Sequence, residues 1–481
     1  MNDWPADPKL DENLRRLVND ELMAARADAA GMSRRGAHRS RDGRAAASLG
    51  ALAVIAIVVA LAIRANTTDG SPAGGPGPSA SPSASAAAAT DSPAASEAAS
   101  PVASVEPTPT VAPGTPGSFS PTGTMTTSDN GTATLLLDGR VLIVGNAATS
   151  PEIYDPKTGK FTTTGPAAVN VNMAPATRLA DGRVLFAGGS DGTKTVATAQ
   201  IYDPTTGKFA ATGSLNTSRM GHTATLLADG RVLIAGGSTI DGTGMVQAEA
   251  MAYHPGAAGP GSGPVTMTGP AMLASAEIYD PKTGKFSVTN SMTTGREAAS
   301  ATLLTDGRVL IVGGGNEGSA AVGSAEIYDP KTGKFGRTGA LLTAGYGFSS
   351  TLLTDGRVLI SAGNDGNGPI HSLEIYDPKT GRFSAAGSVG PSFGYYSTAL
   401  LVDGRVLISG GFDIAAGKTA GYLASCALYD PATGKLTPTG SMATGRLAHS
   451  ATTLLDGRVL VAGGVGGGDP GNLASAELYQ P

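Results

Sequence analysis

The sequence predicts an all-β ring: a seven-bladed β-propeller closed by an N-terminal strand, preceded by one transmembrane helix and a disordered linker. Three observations predict it. A pentapeptide recurs seven times, each copy lies inside two short hairpin patterns, and the strand absent from the last unit stands ahead of the first.

Composition narrows the function classes. Among 481 residues, 34 Lys and Arg face 39 Asp and Glu for a net charge of −5, so there is no basic field to hold nucleic acid. The single cysteine, Cys426, excludes an internal disulfide, a cysteine zinc cluster and CxxC redox chemistry. The 69 glycines have no collagen period and point to a turn-rich fold.

Residues 1–44 are expected to be a cytoplasmic segment, where Leu10, Leu14, Leu17, Val18 and Leu22 fall at the spacing of a short amphipathic helix. Residues 45–63, uncharged between Arg44 and Arg64, are long enough as a helix to cross a bilayer. The arginines at 34, 35, 39, 41 and 44 place the N-terminus inside and everything after Arg64 outside. A cleaved leader is the competing reading, but a 44-residue preamble is far longer than an ordinary n-region. Residues 64–116, mostly Ala, Ser, Pro, Thr and Gly, bury too little to offset ordering entropy and read as a disordered linker, holding the next domain on the order of 40 Å from the membrane.

The propeller is expected over 117–481. Asp-Gly-Arg-Val-Leu begins at Asp138, Asp181, Asp229, Asp306, Asp355, Asp403 and Asp456. Each copy joins an Ala/Ser/Thr-rich strand a to an apolar strand b through a two-residue turn whose glycine accepts positive φ. A second hairpin follows, typified by AEIYDP, KTG and KF, giving strands c and d. Small residues in strand a suit a crowded axis, and Tyr and Phe in strands c and d suit the wider rim. The chain ends at ASAELYQP, so the seventh unit lacks strand d, and Gly117 to Gly123 matches the missing pattern. Pairing the two ends would leave no open sheet edge. Where other units place glycine four residues after the strand d aromatic, unit three has Asn290, expected to take the left-handed backbone that glycine would.

The Gly-Gly pairs (Gly188-Gly189, Gly236-Gly237, Gly313-Gly314, Gly410-Gly411, Gly463-Gly464), the later Tyr and the strand d aromatic resemble kelch repeats, as in the central domain of galactose-oxidase-type propellers, here in a form expected to be bacterial and membrane-anchored. The match departs in using Phe, or Leu436 in blade six, where kelch repeats usually have Trp. The resemblance raises a copper-radical oxidase, which needs two His and two Tyr around one ion and a Cys joined to a Tyr. Tyr395-Tyr396 stands where that family shows Tyr-His, and His222 and His449 belong to blades three and seven, so this reading is disfavoured. No cofactor or metal is expected. GxSxG at Gly188 and GxGxxG at Gly466 lack the helix each needs, and Asn364, Asp365 and Asn367 read as a glycine-rich turn before a calcium site.

The a–b and c–d turns fall on one face, nearly identical in all blades; the b–c loops and d–a connections fall on the other and vary, most of all between Gly237 and Ala274. A binding site needs asymmetric chemistry, so it is assigned to the variable face. There Arg219, Arg296 and Arg446, with Tyr346, Tyr395, Tyr396, Phe348 and Phe393, are candidates to hold an acidic or carbohydrate ligand near the axis. His222 and His449 share one repeat position and are candidates of the same kind, against a packed role in the repeat. The function expected is a membrane-anchored extracytoplasmic module that holds a cell-envelope protein or glycan, with an oxidase-like or carbohydrate-active enzyme, or a surface sensor, as the alternatives.

Overall fold

The computed structural model describes residues 117–481 apart from 127–130, 146–150, 168–172, 241–271, 317–319, 391–394, 413–420 and 467–470. The expected cytoplasmic segment, transmembrane helix and linker lie outside the described residues, within which no helix is long and apolar enough to cross a membrane. The described residues form seven four-stranded antiparallel sheets and one small three-stranded sheet of Arg446–Leu447, Val465–Gly466 and Gly471–Asn472, with no helix among them.

Blade three illustrates the unit. Thr223–Leu226, Val232–Ala235, Ala276–Asp280 and Lys285–Val288 pair in that order, as strands a to d. Strand b is buried along its whole length because both of its faces meet neighbouring sheets, whereas strand d exposes every second residue or more. The core therefore lies between blades. Leu227, Leu233, Ile278 and Met292 of blade three pack against Val309, Ile311 and Tyr328 of blade four. The same kind of cluster joins Val141, Ile143 and Tyr154 of blade one to Leu454, Leu460 and Leu478 of blade seven.

Each a–b turn closes on itself. In blade three the Arg231 amide and Nε donate to Asp229 at 3.0 and 2.9 Å around Gly230, whose φ is 86°. The pair is exposed and screened, so it shapes the turn more than it stabilises the fold.

Neighbouring blades are stitched near their outer edges by one recurring contact. Thr212 of blade two shares a hydrogen bond with the Tyr279 hydroxyl of blade three at 2.9 Å, and the Gly213 amide donates to Gly284 O at 2.9 Å. This corrects the expectation for Asn290. Gly165, Gly213 and Gly339 are absent from the positive-φ residues; what they supply is close approach, since a Cβ on Gly165 would stand 2.7 Å from Gly207 O. Asn290 is not left-handed either, and its Nδ2 donates to Gly333 O at 2.8 Å in place of that backbone contact.

The strand Ser118–Thr124 pairs antiparallel with Ser475–Gln480, from Ser118 opposite Gln480 to Thr124 opposite Ser475, as the fourth strand of blade seven. The stitch recurs on both sides of it. The Gly440 amide of blade six donates to Gly117 O at 3.0 Å, and Thr122 bonds the Tyr154 hydroxyl of blade one at 2.8 Å. On the turn face Arg458 Nη2 of blade seven reaches Pro156 O of blade one at 3.2 Å, as Arg140 of blade one reaches Pro204 O of blade two at 3.1 Å.

Candidate functional site

The three candidate arginines are not at the mouth of the axis. Arg219, Arg296 and Arg446 are each 0% exposed, the largest fully buried side chains among the described residues. Arg219 Nη1 donates to Gly236 O at 2.8 Å and Ser275 O at 3.0 Å, and its Nη2 donates to Ser275 Oγ and, at 3.0 Å, to Glu277 Oε1. Arg296 repeats the set with Glu326 at 2.9 Å, and Arg446 with Glu477 at 2.9 Å. Burial pulls all three guanidinium pKa values below their ordinary range, and the facing carboxylate opposes it. These side chains tie the d–a connection to strand c of the same blade, so the expected ligand role is corrected: every donor but the buried Arg296 Nε is spent inside the protein.

The signal for this was in the sequence and was missed. Arginine ten residues before the turn Asp accompanies glutamate in strand c in blades three, four and seven, whereas blade two pairs Val171 with Gln200 and blade six Phe393 with Ala427. Blade five keeps buried Glu374, accepting from the Leu342 and Thr343 amides at 2.8 and 2.9 Å, with Gly345 at the arginine position. Phe348 and Ile370 crowd the space beside that glycine.

His222 and His449 are 2% and 5% exposed, packed where a side chain on Gly188 or Gly410 would meet their rings. Burial first, and the neighbouring arginine charge second, push both pKa values down to about 3. His449 Nε2 lies 2.9 Å from Ser409 Oγ. Both rings are interior, so the expectation that they meet a ligand is also corrected. Tyr396 is buried too: its hydroxyl accepts from the Ala362 amide at 2.7 Å, and burial raises its pKa.

Tyr346 and Tyr395 remain on the variable face, and the structure brings them together. Tyr346 exchanges both backbone hydrogen bonds with Asn364, at 3.0 and 2.9 Å, and Asn364 Nδ2 donates to the Tyr395 hydroxyl at 2.7 Å. Tyr395 packs with Phe412 and Leu447, flanked by Tyr422 and Val465, and the Phe412 and Tyr422 rings meet edge to face at 5.9 Å. The result is an aromatic wall over blades five to seven, with the exposed Asp365 beside it. Asp365 and burial both raise the pKa of half-buried Tyr346, burial most. Asn364 and Asp365 also close their own turn, accepting from the Gly366, Asn367 and Gly368 amides.

Tyr395 also carries strain. Its φ of 57° belongs to a repeat position, eight residues before the turn Asp, that is left-handed in the six blades where it is described: Met173, Gly221, Ala298, Gly347, Tyr395 and Ala448. Glycine takes that backbone freely and a tyrosine does not, at a cost of about 1–2 kcal/mol. Sequence reasoning had found Tyr395 but not its partners Phe412 and Tyr422, which lie in a b–c loop without a repeat pattern. Phe393 lies outside the described residues.

No curated protein matches the chain. The kelch motif model matches residues 298–335, most of blade four. Among solved structures 939 chains match, so the fold by itself selects no activity. One is a novel fungal alcohol oxidase with catalytic diversity among the AA5 family, in complex with copper: TM-score 0.57, 17% identity, covering 76% of this chain and 76% of that chain. At that identity the likeness speaks for the fold alone. The described residues do not fit a copper ion: they contain no group of three or more His, Cys, Asp or Glu placed to hold a metal. His222 and His449 sit in separate blades, and burial pushes the Cys426 thiol up to about 12, with the group packed in strand c. The repeat, the matched motif and the structural likeness together support a kelch-like propeller.

Proposed function

We propose that this protein is a membrane-anchored, extracytoplasmic binding module that holds a cell-envelope protein or glycan on the variable face of a kelch-like propeller, sealed by its N-terminal strand. The carrying observation is the aromatic wall of Tyr346, Tyr395, Phe412 and Tyr422, the one place where the described loop face departs from repeat chemistry by gathering rings. Other blades carry Asn130, Met173, Gly221, Ala298, Gly347 and Ala448 at the Tyr395 position, so a ring there is peculiar to blade six. The half-buried rings of Tyr346 and Tyr422, backed by the buried Tyr395 and Phe412 and set beside a carboxylate and an amide, suit stacking on a sugar face or capture of an apolar or basic side chain. Kelch repeats are themselves suggestive of an interaction propeller.

Orientation agrees with this. Ser118 pairs with Gln480 at the turn end of strand c, so the chain ahead of Gly117 enters at the turn face, opposite the variable loops. The enzyme alternative draws support from the oxidase likeness but meets no matching donor set among the described residues. The test is a glycan array and an envelope-protein cross-linking screen with the full chain in mild detergent. Tyr346→Ala and Tyr422→Ala are expected to lower capture at least about tenfold; capture unchanged by both would overturn the reading.

A further inference from the structure

One turn occurs twice on the loop face, and its two copies sit in different electrostatic settings. In blade two the Asp191 amide donates to Lys194 O at 3.1 Å, and Asp191 Oδ1 accepts from the Thr193 and Lys194 amides at 2.8 and 2.9 Å. In blade five the Asp365 amide donates to Gly368 O at 3.0 Å, and Asp365 Oδ1 accepts from the Asn367 and Gly368 amides at 2.7 and 2.9 Å. Gly192 and Gly366, each just after the aspartate, share a φ of 94°. Backbone and carboxylate are posed alike in both turns.

What surrounds them differs. Hydrogen bonds from Thr193 first, then from Lys194, pull the Asp191 pKa down to about 2, and the Lys194 charge adds to them. Asn172 and Gly221 stand at the repeat positions that Tyr346 and Tyr395 take beside the other copy. Asp365 has rings and no cation: Gly368 replaces Lys194, and among the described residues its Oδ2 has neither a hydrogen bond nor an ion pair. Burial first and Asp365 second raise the pKa of Tyr346; at Tyr395 burial leads and Tyr346 and Asp365 add to it, so one negative charge bears on both rings. The neighbouring amide is already engaged, since Asn364 Nδ2 donates to the Tyr395 hydroxyl at 2.7 Å and its Oδ1 accepts from the Gly366 amide at 2.6 Å. A sugar face asks for several hydrogen-bonding groups around it, whereas one open carboxylate oxygen beside rings suits a single positive charge. The arginines that pointed to an acidic ligand present no net charge, each being held by a buried glutamate.

We propose that the aromatic wall takes a cation, the lysine or arginine side chain of a partner protein, with its charge against Asp365 Oδ2 and its stem along the ring of Tyr346; this rests on the loop-face reading given above and gives the ligand of that site a sign. The sign is the reverse of the one the three arginines suggested. Blade two carries the same aspartate turn without the rings and with its own lysine, so it does not compete for the same group.

The experiment measures binding of fluorescent oligolysine, oligoarginine and oligoglutamate peptides of equal length, and of a glucosamine oligomer, to the full chain in mild detergent at one ionic strength. The parent is expected to bind the basic peptides at least about tenfold more tightly than oligoglutamate. Asp365→Asn keeps the oxygen that accepts the Asn367 and Gly368 amides and loses only the charge, and is expected to weaken the basic peptides at least about threefold. Asp191→Asn makes the same change in the same turn and is expected to leave their affinity within about twofold. Since both variants remove one negative charge, the overall charge of the protein does not explain a difference between them. Equal affinities in the two variants would overturn the cation site. So would tighter binding of the glucosamine oligomer than of either basic peptide, which gives the cation to a sugar. The loop-face reading fails separately, by Tyr346→Ala and Tyr422→Ala leaving capture unchanged; loss in those two with none in Asp365→Asn keeps that reading and removes the cation.

Discussion

The turn face and the loop face are built by the same four strands, yet they solve opposite problems. At the turn face each blade ends in an Asp-Arg clip such as Asp229 with Arg231, and most neighbours are joined there by a Thr to Tyr stitch such as Thr212 with Tyr279. Those contacts repeat because each blade must fit the next. At the loop face the corresponding anchors are buried Arg-Glu pairs in blades three, four and seven only, and blades five and six replace them with Phe348, Tyr395, Tyr396 and Phe412. In these two of the four blades without the arginine, aromatic side chains appear; blades one and two, with Ser128 and Val171 at that position, do not share them. The difference teaches that the buried charged residues of the loop face hold the scaffold, and that under the proposed function a partner would meet the less buried rings, Tyr346 and Tyr422, that stand over the buried aromatic ones.

The comparison can be broken most forcefully at the joint. Deleting residues 118–124 strips strand d from blade seven and removes both flanking stitches, so the thermal midpoint is expected to fall by more than about 10 °C in calorimetry. A midpoint unchanged by the deletion would mean that the seventh blade stands without its fourth strand.

Next in size are the buried pairs. Arg296→Ala leaves the Glu326 carboxylate buried without its guanidinium and is expected to cost about 3–5 kcal/mol in urea unfolding. Arg296→Met with Glu326→Leu together should recover most of that loss, because the charge and its counter-charge leave together. Arg296→Gly is not a substitute for what blade five does, since blade four has no Phe348 and Ile370 beside the gap.

The interior histidines give a pH signature of intermediate size. Their folded pKa of about 3 lies below the unfolded value near 6.5, so the unfolded chain binds more protons in between. Their contribution is complete above pH about 6.5 and is lost as pH falls toward about 3, at up to about 1.4 kcal/mol per pH unit for each. Unfolding free energies measured between pH about 7 and about 4 should show a slope that His222→Phe with His449→Phe flattens. An equally steep slope in the double variant would show that other groups carry it.

Smallest in stability are the exposed apolar side chains just before the turn Asp, Leu137 at 58% and Leu455 at 69% exposure. Leu137→Ser or Leu455→Ser should change the unfolding free energy by less than about 0.5 kcal/mol, because these side chains are exposed.

The fold was legible in the sequence because its determinants are local and repeated. Seven Asp-Gly turns, seven apolar b strands and a displaced strand d are visible without knowing any contact, and the pairing of Phe119 with Tyr479 follows from them. The site was legible only in part. Arg219 and His222 look like surface chemistry in one dimension because the residue that buries each, Glu277 or Gly188, lies far along the chain. Asn290 misled for a related reason: glycine at that position answers to a neighbouring blade's carbonyl, which the sequence does not display. Tyr395 was found by its type, but Phe412 and Tyr422 sit in a loop whose register only the folded chain defines.

The most direct measurement compares the two faces in one assay. Full-length chain in mild detergent is scored for ligand capture, on a glycan array and by envelope cross-linking, as Tyr346→Ala, Tyr422→Ala, Leu137→Ser and Leu455→Ser. Loss of at least about tenfold in the two tyrosine variants, with the two turn-face variants at the parent level, is the predicted result. Loss confined to the turn-face variants would contradict the account and move the partner to the opposite side of the ring.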